Sequence, residues 1–308
     1  MKNRNEVKPI YSVVIPAYNE EDVIYKVIRQ ICAVMDSLEE PYEMLVVDDG
    51  STDKTAEQAR RADATVIEHP YNIGYGAALK TGFRRAKGTF LITIDGDGQH
   101  DPNDIPRLIE KIEQFDMAVG SRNRDSDTEK HRDFANFIFN YFASYIAGRK
   151  IEDLTSGLRA MKTHIVRKFI YLLPNTFSCS STLTLANIHA GYSLCYLPIQ
   201  VSRRQGKGKS KINPWKDGTR FLMLILRVAV FYSPMKIFGP ASVTIFLIGL
   251  GYGLLRMLAW GVRYGQTSAL LMSTAVLIFM VGLVSEQIAQ LRFSQSEVES
   301  MIENKKDE

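Results

Sequence analysis

The first hundred residues alternate between short apolar runs and amphipathic stretches. Residues 10–16, IYSVVIP, are apolar almost without a break and stop at a proline, which predicts a buried strand. Behind it, Glu20 and Glu21 open a helical pattern carried by Val23, Ile24, Val27, Ile28 and Ile31. EMLVV (43–47) predicts a second strand, closed by Asp48, Asp49 and Gly50, and STDKTAEQARR predicts a capped helix. A short strand over 65–67, a helix over 75–87, and strands over 90–94 and 117–120 follow. Strands that are apolar throughout and alternate with helices predict an α/β fold with a mostly parallel sheet covered on both faces. Ligands of such sheets sit beyond the carboxyl ends of the strands. PAYNE, DDGSTD and DGDGQH all fall there.

Farther along, the pattern changes. Phe134, Phe137, Phe139, Tyr141, Phe142 and Tyr145 predict an aromatic-rich helix over 134–147, its stripe expected in the core rather than against lipid. RRQGKGKSK (203–211) is basic and glycine-spaced with no apolar period, which predicts a loop. Residues 213–236 mix Trp215, Phe221, Leu222 and Leu226 with Lys216, Arg220 and Arg227, the signature of an amphipathic helix lying in a membrane surface. From Ile237 to Leu255 there is no charge, and a second apolar run covers Ala269 to Ser285. About 20 residues cross a hydrocarbon core, so two spans are expected, at about 237–259 and 269–290. A buried soluble hairpin is the competing reading, but too little chain remains to bury it. Trp260 and Tyr264 in the linker suit an interface, and Arg256 and Glu286 sit where they could snorkel. Basic residues crowd before the first span, Lys305 and Lys306 follow the second, and only Arg263 lies between. The positive-inside rule places both residues 1–212 and the tail, 291–308, in the cytoplasm. Gly249, Gly251 and Gly253 would permit close helix contact, a route to a homo-oligomer.

Composition trims the options. With 45% hydrophobic and 23% charged residues, the chain of 308 residues reads as folded. A net charge of +4 argues against nucleic acid as the main partner. Three cysteines without metal spacing fit a reducing compartment, and MKNRNEVKPI is too polar for a signal peptide.

The candidate chemistry centres on LITIDGDGQH (91–100). An apolar strand ends in Asp95 and Asp97, whose mutual repulsion should raise one carboxyl pKa unless something positive sits between them. An Asp-Gly turn gives the same letters, but the position at a strand end beside VVDDGSTD favours a hard divalent cation, Mg²⁺ or Mn²⁺, with Gln99 as a neutral oxygen. Other motifs fail. NIGYGAALKTG has Leu79 where a phosphate loop needs glycine before lysine, and the same residue breaks the dinucleotide fingerprint. Glycosidase carboxylates stand about 5–10 Å apart across a bond, whereas Asp95 and Asp97 share a turn.

VVIPAYNEEDVI, MLVVDDGSTDKT, NIGYGAAL, GTFLITIDGDGQHDP, AVGSR and LTSGLRAMK, taken together, resemble the GT-A glycosyltransferases of family 2. Within that family they are most similar to the polyisoprenyl-phosphate glycosyltransferases, which include dolichol-phosphate mannose synthase. The likeness covers about residues 10–212, and the surface helix and membrane hairpin match a subset of the group. The resemblance implies a Rossmann-like catalytic domain. Pro16, Tyr18 and Glu20 would hold base and ribose, Asp49 would face the base, and Asp48 would support the loop. Asp95, Asp97 and Gln99 match metal-binding positions. Arg122 and Arg132 match basic residues that meet the acceptor phosphate. RRQGKGKSK resembles a segment, Arg-x-x-Gly-x-Ser-Lys, that folds over the nucleotide with Lys211. Gln205 stands where its arginine is expected, so Arg203 or Arg204 takes that place.

The implied reaction is inverting transfer of a hexose from a nucleotide sugar, UDP-glucose ahead of GDP-mannose, to a polyprenyl or dolichyl phosphate. Residues 155–160 and 178–184 are expected to shape the sugar pocket. A lipid phosphate, with its second pKa about 6, needs no general base. A processive polysaccharide synthase would carry Gln-x-x-Arg-Trp, yet arginine precedes neither Trp215 nor Trp260. A non-catalytic module binding nucleotide sugar would not need the carboxylate pair and the basic loop.

Overall fold

The computed structural model describes residues 8–122, 140–202, 230, 232–260 and 265–304. The chain divides into two compact units, Met1–Asn213 and Pro214–Glu308. Among the described residues the first carries seven strands: β1 (Tyr11–Ala17), β2 (Tyr42–Asp48), β3 (Thr65–Glu68), β4 (Phe90–Thr93), β5 (Met117–Arg122), β6 (Arg159–Lys162) and β7 (Leu194–Ile199). They stand in the order β3-β2-β1-β4-β6-β5-β7. Only β6 runs antiparallel to its neighbours, β4 and β5; the other pairings are parallel. All of β1 and nearly all of β2 is buried, as strands covered on both faces must be.

The covering helices are α1 (Ile24–Asp36), α2 (Thr55–Arg61), α3 (Tyr75–Arg85), α4 (Ile105–Ile112), α5 (140–147), α6 (Thr163–Phe169) and α7 (Cys179–His189). α1 buries Ile24, Val27, Ile28, Ile31, Cys32 and Met35, a stripe at helical spacing that meets the apolar face of β1 and β2. In α5 the buried face is Ala143 and Ile146. Tyr141 and Tyr145, expected in the core, are 71% and 51% exposed, because Ala143 and Ile146 take the inward positions. Residues 134–139 of that expected helix lie outside the described residues.

The chain runs from β1 outward to β2 and β3, then returns to place β4 on the other side of β1. That reversal opens a crevice at the carboxyl ends of β1 and β4, the usual ligand position in such sheets.

In the second unit, α8 (Met235–Trp260) and α9 (Gln266–Asn304) pack side by side. Met235–Leu258 and Gln266–Leu291, 24 and 26 residues, are long and apolar enough to cross a membrane. At about 1.5 Å per residue they exceed a core of about 30 Å. Gly282 lets Phe238 approach: an added Cβ would lie 2.7 Å from Phe238 Cβ. Gly249 meets Leu271 in the same way, so close contact there is made within the hairpin. Glu286 accepts a hydrogen bond from the Met235 backbone N–H at 3.2 Å, putting a carboxylate on the positive end of α8. Arg256 lies over the Tyr252 ring at 5.9 Å. α9 continues past its apolar stretch to Asn304. The expected surface helix falls almost wholly outside the described residues.

Candidate active site

Two loops after β1 and β2 are laced together by side chains that the PAYNE and DDGSTD motifs supply. Asn19 adopts φ 54°; its N–H donates to Ser51 Oγ at 2.9 Å, and its Oδ1 accepts from Thr52 N–H at 2.9 Å. Glu20 N–H donates to Thr55 Oγ1 at 2.8 Å, and Glu21 N–H to Asp53 at 3.2 Å. Asp48 accepts from the backbone and hydroxyl of Ser51. Asp49 is buried and accepts from Ile73 N–H at 3.0 Å and Gly74 N–H at 2.8 Å, and its Oδ1 lies 2.7 Å from His69 Nδ1. The other nitrogen of His69 pairs with Thr81 Oγ1 at 2.9 Å. Asp49 thus holds the segment 69–74 against the end of β2. Of the residues expected around the nucleotide, Pro16 and Glu20 are buried and Tyr18 is exposed at the crevice rim.

That segment continues into α3, and here the glycines of NIGYG have their reason. The Asn175 carbonyl accepts from Gly76 N–H at 3.0 Å and Ala77 N–H at 3.3 Å. A Cβ on Gly74 or Gly76 would lie 2.3 or 2.2 Å from the carbonyl oxygens of Asn175 and Pro174. The first amides of α3, the place where a helix would hold a phosphate, are occupied by the chain's own backbone.

Asp95 and Asp97 follow β4. Tyr75 Oη donates to Asp95 Oδ1 at 2.9 Å, and His100 Nε2 lies 3.7 Å from Asp95 Oδ2. The backbone of Gly157 backs the carboxylate so closely that a Cβ there would stand 2.0 Å from Asp95 Oδ2. Gly157 is fixed because its carbonyl accepts from Thr93 Oγ1 at 2.8 Å. Behind it, the guanidinium of Arg159, 1% exposed, donates to the carbonyls of Ser156 at 2.7 Å and Leu154 at 2.9 Å and to Thr184 Oγ1 at 2.5 Å. Burial acts to raise the Asp95 pKa, but His100, Tyr75 and Arg159 outweigh it and hold this carboxyl below its usual range. Burial, reinforced by Asp95, pushes the Tyr75 phenol well up.

Asp97 Oδ1 accepts from Gln99 N–H at 3.1 Å. Gln99 is tied to Ser202 twice: its carbonyl accepts from Ser202 N–H at 2.9 Å and its side-chain amide donates to Ser202 O at 3.4 Å. His100 bridges to Val201, and its Nδ1 is buried with no hydrogen-bond partner among the described residues. Among those residues no group of three or more His, Cys, Asp or Glu could hold a metal ion. Asp95, Asp97 and Gln99, the residues expected at a metal, offer two carboxylates and an amide oxygen, all hard ligands. That set fits a Mg²⁺ or Mn²⁺ ion that completes its shell with phosphate and water.

Arg122 meets a carboxylate 31 residues on. Its Nε and Nη2 donate to Asp153 at 2.7 and 2.8 Å, and Nη2 also reaches Thr155 Oγ1. Burial works to raise Asp153, and Arg122 more than offsets it, so this carboxyl is held low. Arg132, Arg203, Arg204 and Lys211 lie outside the described residues. Residues 155–160 and 178–184 do come together, through Arg159 and Thr184, and Ser181 Oγ donates to Leu154 O just before the first of these stretches. Most of that α7 face is buried. The letters did not single out Tyr75, His100 or Asp153 as site residues, and they placed Gly157 and Arg159 only within the 155–160 stretch expected at the sugar pocket, without their link to Asp95. Tyr75 sits within NIGYGAAL, and Gly157 and Arg159 within LTSGLRAMK.

A sequence model described as glycosyl transferase family 2 matches residues 12–171, and one described as the GtrB C-terminal hairpin matches residues 233–291. The undecaprenyl-phosphate 4-deoxy-4-formamido-L-arabinose transferase of Edwardsiella ictaluri is 28% identical over 299 residues, covering 91% of this chain and 89% of its own. An uncharacterized protein of Methanocaldococcus jannaschii is 35% identical over 200 residues, 61% of this chain and 80% of its own. Among solved structures, glucosyl-3-phosphoglycerate synthase from Mycobacterium tuberculosis, crystallised with Mn²⁺ and UDP-glucose, superposes with a TM-score of 0.56 at 19% identity. It covers 72% of this chain and 78% of that one. That likeness establishes the GT-A fold.

Proposed function

The chain belongs to glycosyl transferase family 2, and from that premise we propose that it moves a hexose from a nucleotide sugar to a polyprenyl phosphate with inversion. One observation carries the reading: Asp95 and Asp97 end β4 at the sheet's reversal point, in a chain that also holds two helices able to cross a bilayer. The Edwardsiella relative, which this chain matches over nearly its full length, is named for undecaprenyl phosphate. The Mycobacterium neighbour, named with UDP-glucose and Mn²⁺, supports a nucleotide-sugar donor and a divalent ion. UDP-glucose is the favoured donor and GDP-mannose the next.

Asp95 and Asp97, with Gln99, would hold Mg²⁺ or Mn²⁺, which when bound neutralises charge on the leaving diphosphate. The residues then act as follows. Pro16, Tyr18, Glu20 and Asp49 seat the nucleoside, and Arg203 or Arg204 with Lys211 closes over it. Arg122 and Arg132 steer the acceptor phosphate to the anomeric carbon, with Arg122 itself fixed by Asp153. An acceptor oxygen forms the new bond to that carbon as the bond to the diphosphate breaks, and the electron pair leaves with the nucleoside diphosphate. The acceptor is already ionised, so no proton has to be taken. In this reading residues 1–212 and the tail face the cytoplasm.

The test uses the full chain in nanodiscs with radiolabelled UDP-glucose or GDP-mannose, undecaprenyl phosphate, and Mn²⁺, Mg²⁺ or EDTA. Lipid-extractable label that requires a divalent ion is expected. Absence of label on lipid with every nucleotide sugar tried would overturn the reading.

A further inference from the structure

Phe177 is 83% exposed, a large ring held open to solvent at the lip of the crevice. It is not a loose loop tip. On its N-terminal side, Asn175 O takes two amides of α3 and Leu173 O accepts from Lys80 Nζ at 3.1 Å. On its C-terminal side, Thr176 O accepts from Cys179 N–H at 3.1 Å, and Thr176 and Ser178 hydroxyls pair at 3.0 Å. One face of the ring stacks on Tyr75, with centroids 5.4 Å apart and planes 8° from parallel. Tyr75 in turn donates to Asp95.

The segment that carries Tyr75 spans two landmarks. Ile73 and Gly74 donate to Asp49, and Tyr75 donates to Asp95. In the proposed function, Asp49 lies at the base end of the donor and Asp95 at its diphosphate. The next part of a nucleotide sugar beyond the diphosphate is the sugar. Phe177 extends the platform at that same end, with one ring face taken and the rest open. A rigid aromatic face beside a polar site suits the C–H face of a pyranose, which buries apolar surface there while its hydroxyls stay hydrogen-bonded.

We infer that the stacked pair Tyr75–Phe177 is the seat of the donor's hexosyl ring, with Phe177 as a specificity-determining residue. The inference rests on the proposed function for the identity of the donor, but its test needs only donor binding. Because Phe177 is exposed, replacing it leaves the core intact.

Dissociation constants of UDP-glucose, GDP-mannose, UDP and GDP are measured by calorimetry in Mn²⁺ for the wild type, Phe177→Ala and Phe177→Trp. For whichever nucleotide sugar the wild type binds, Phe177→Ala should weaken it roughly tenfold. The matching nucleoside diphosphate should bind unchanged, and Phe177→Trp should restore the sugar nucleotide. Equal weakening of sugar nucleotide and free diphosphate would place the ring against the base and overturn the inference. So would unchanged donor affinity, including the case in which Phe177→Ala raises only the KM for undecaprenyl phosphate and the ring touches the isoprenoid. A wild type that binds neither nucleotide sugar sinks the proposed function itself, a result read before any variant is compared.

Discussion

Replacing Gly157 by alanine tests the site where it is tightest. The new Cβ would stand 2.0 Å from Asp95 Oδ2, 2.4 Å from its Cγ and 2.6 Å from Oδ1. Ordinary contact begins at 3.4 Å, so the oxygen must retreat by 3.4 − 2.0 = 1.4 Å if the backbone stays. The backbone has reason to stay: Gly157 O holds Thr93, Leu158 O accepts from Gly120 N–H at 3.0 Å, and Arg159 pins the carbonyls of Leu154 and Ser156. Gly157 is not among the glycines with positive φ, so alanine adds no backbone strain and the effect is steric. The carboxylate therefore swings, breaking its bond from Tyr75. A shift of about 1 Å at a reacting centre costs about 100-fold in rate, or about 2.7 kcal/mol. Overpacking costs about 1–3 kcal/mol of stability, which a folded domain tolerates. Initial rates of label transfer to undecaprenyl phosphate, titrated with Mn²⁺, should show kcat down about 100-fold and half-saturation moved to higher metal. Circular dichroism should show a cooperative melt at a modestly lower Tm. A folded variant with wild-type kcat and wild-type metal response would refute the claim that Gly157 sets the position of Asp95.

Three further outcomes are expected. Asp97→Ala should abolish lipid labelling while leaving the circular dichroism spectrum unchanged; normal turnover would remove Asp97 from the metal assignment. Asp153→Asn removes the carboxylate that Arg122 Nε and Nη2 bond and should cost about 1.5–3 kcal/mol near neutral pH. Asp153 has a lowered pKa, so its contribution is complete above the unfolded carboxyl value of about 3.9 and is lost as pH falls through the folded one. Urea titrations of wild type and variant should therefore converge in acid, and a gap that persists below that window would exclude the pair as its source. Gly282→Leu should force Phe238 and Met235 away from α9, seen as faster proteolysis of the hairpin in nanodiscs; an unchanged digestion rate would show that the contact is dispensable.

The parts of this molecule that the letters disclosed are those in which one local pattern decides. β1, β2 and β4 are apolar runs broken only at Ser12, Glu43, Asp48 and Thr93, α1 keeps a stripe at helical spacing, and both apolar helices are long enough to cross a membrane. β6 escaped because RAMK carries a charge at each end and gains its place from pairing with β4 and β5, a property of distant residues. α4 was within reach, since Ile105, Leu108, Ile109 and Ile112 repeat at helical spacing behind Asp101 and Pro102. At the site, Asp95 and Asp97 stood out because two carboxylates at a strand end are costly without a purpose. Their supports did not. The Asp95 bonds from Tyr75 and toward His100, its wall at Gly157, and the pairing of Arg122 with Asp153 join segments up to about 60 residues apart. No periodicity records such contacts. Arg122 shows the limit well: a basic residue after a strand reads as a ligand for phosphate, and nothing nearby in the sequence announces that a carboxylate already holds it.

The Asn175 carbonyl seated on the first turn of α3 has a consequence for how the enzyme can be switched. A free helix N-terminus offers a phosphate backbone N–H groups and positive potential without any cation. Here the helix whose first residue touches Asp95 has spent those groups on its own chain, and sequestering the divalent ion should silence turnover outright instead of slowing it.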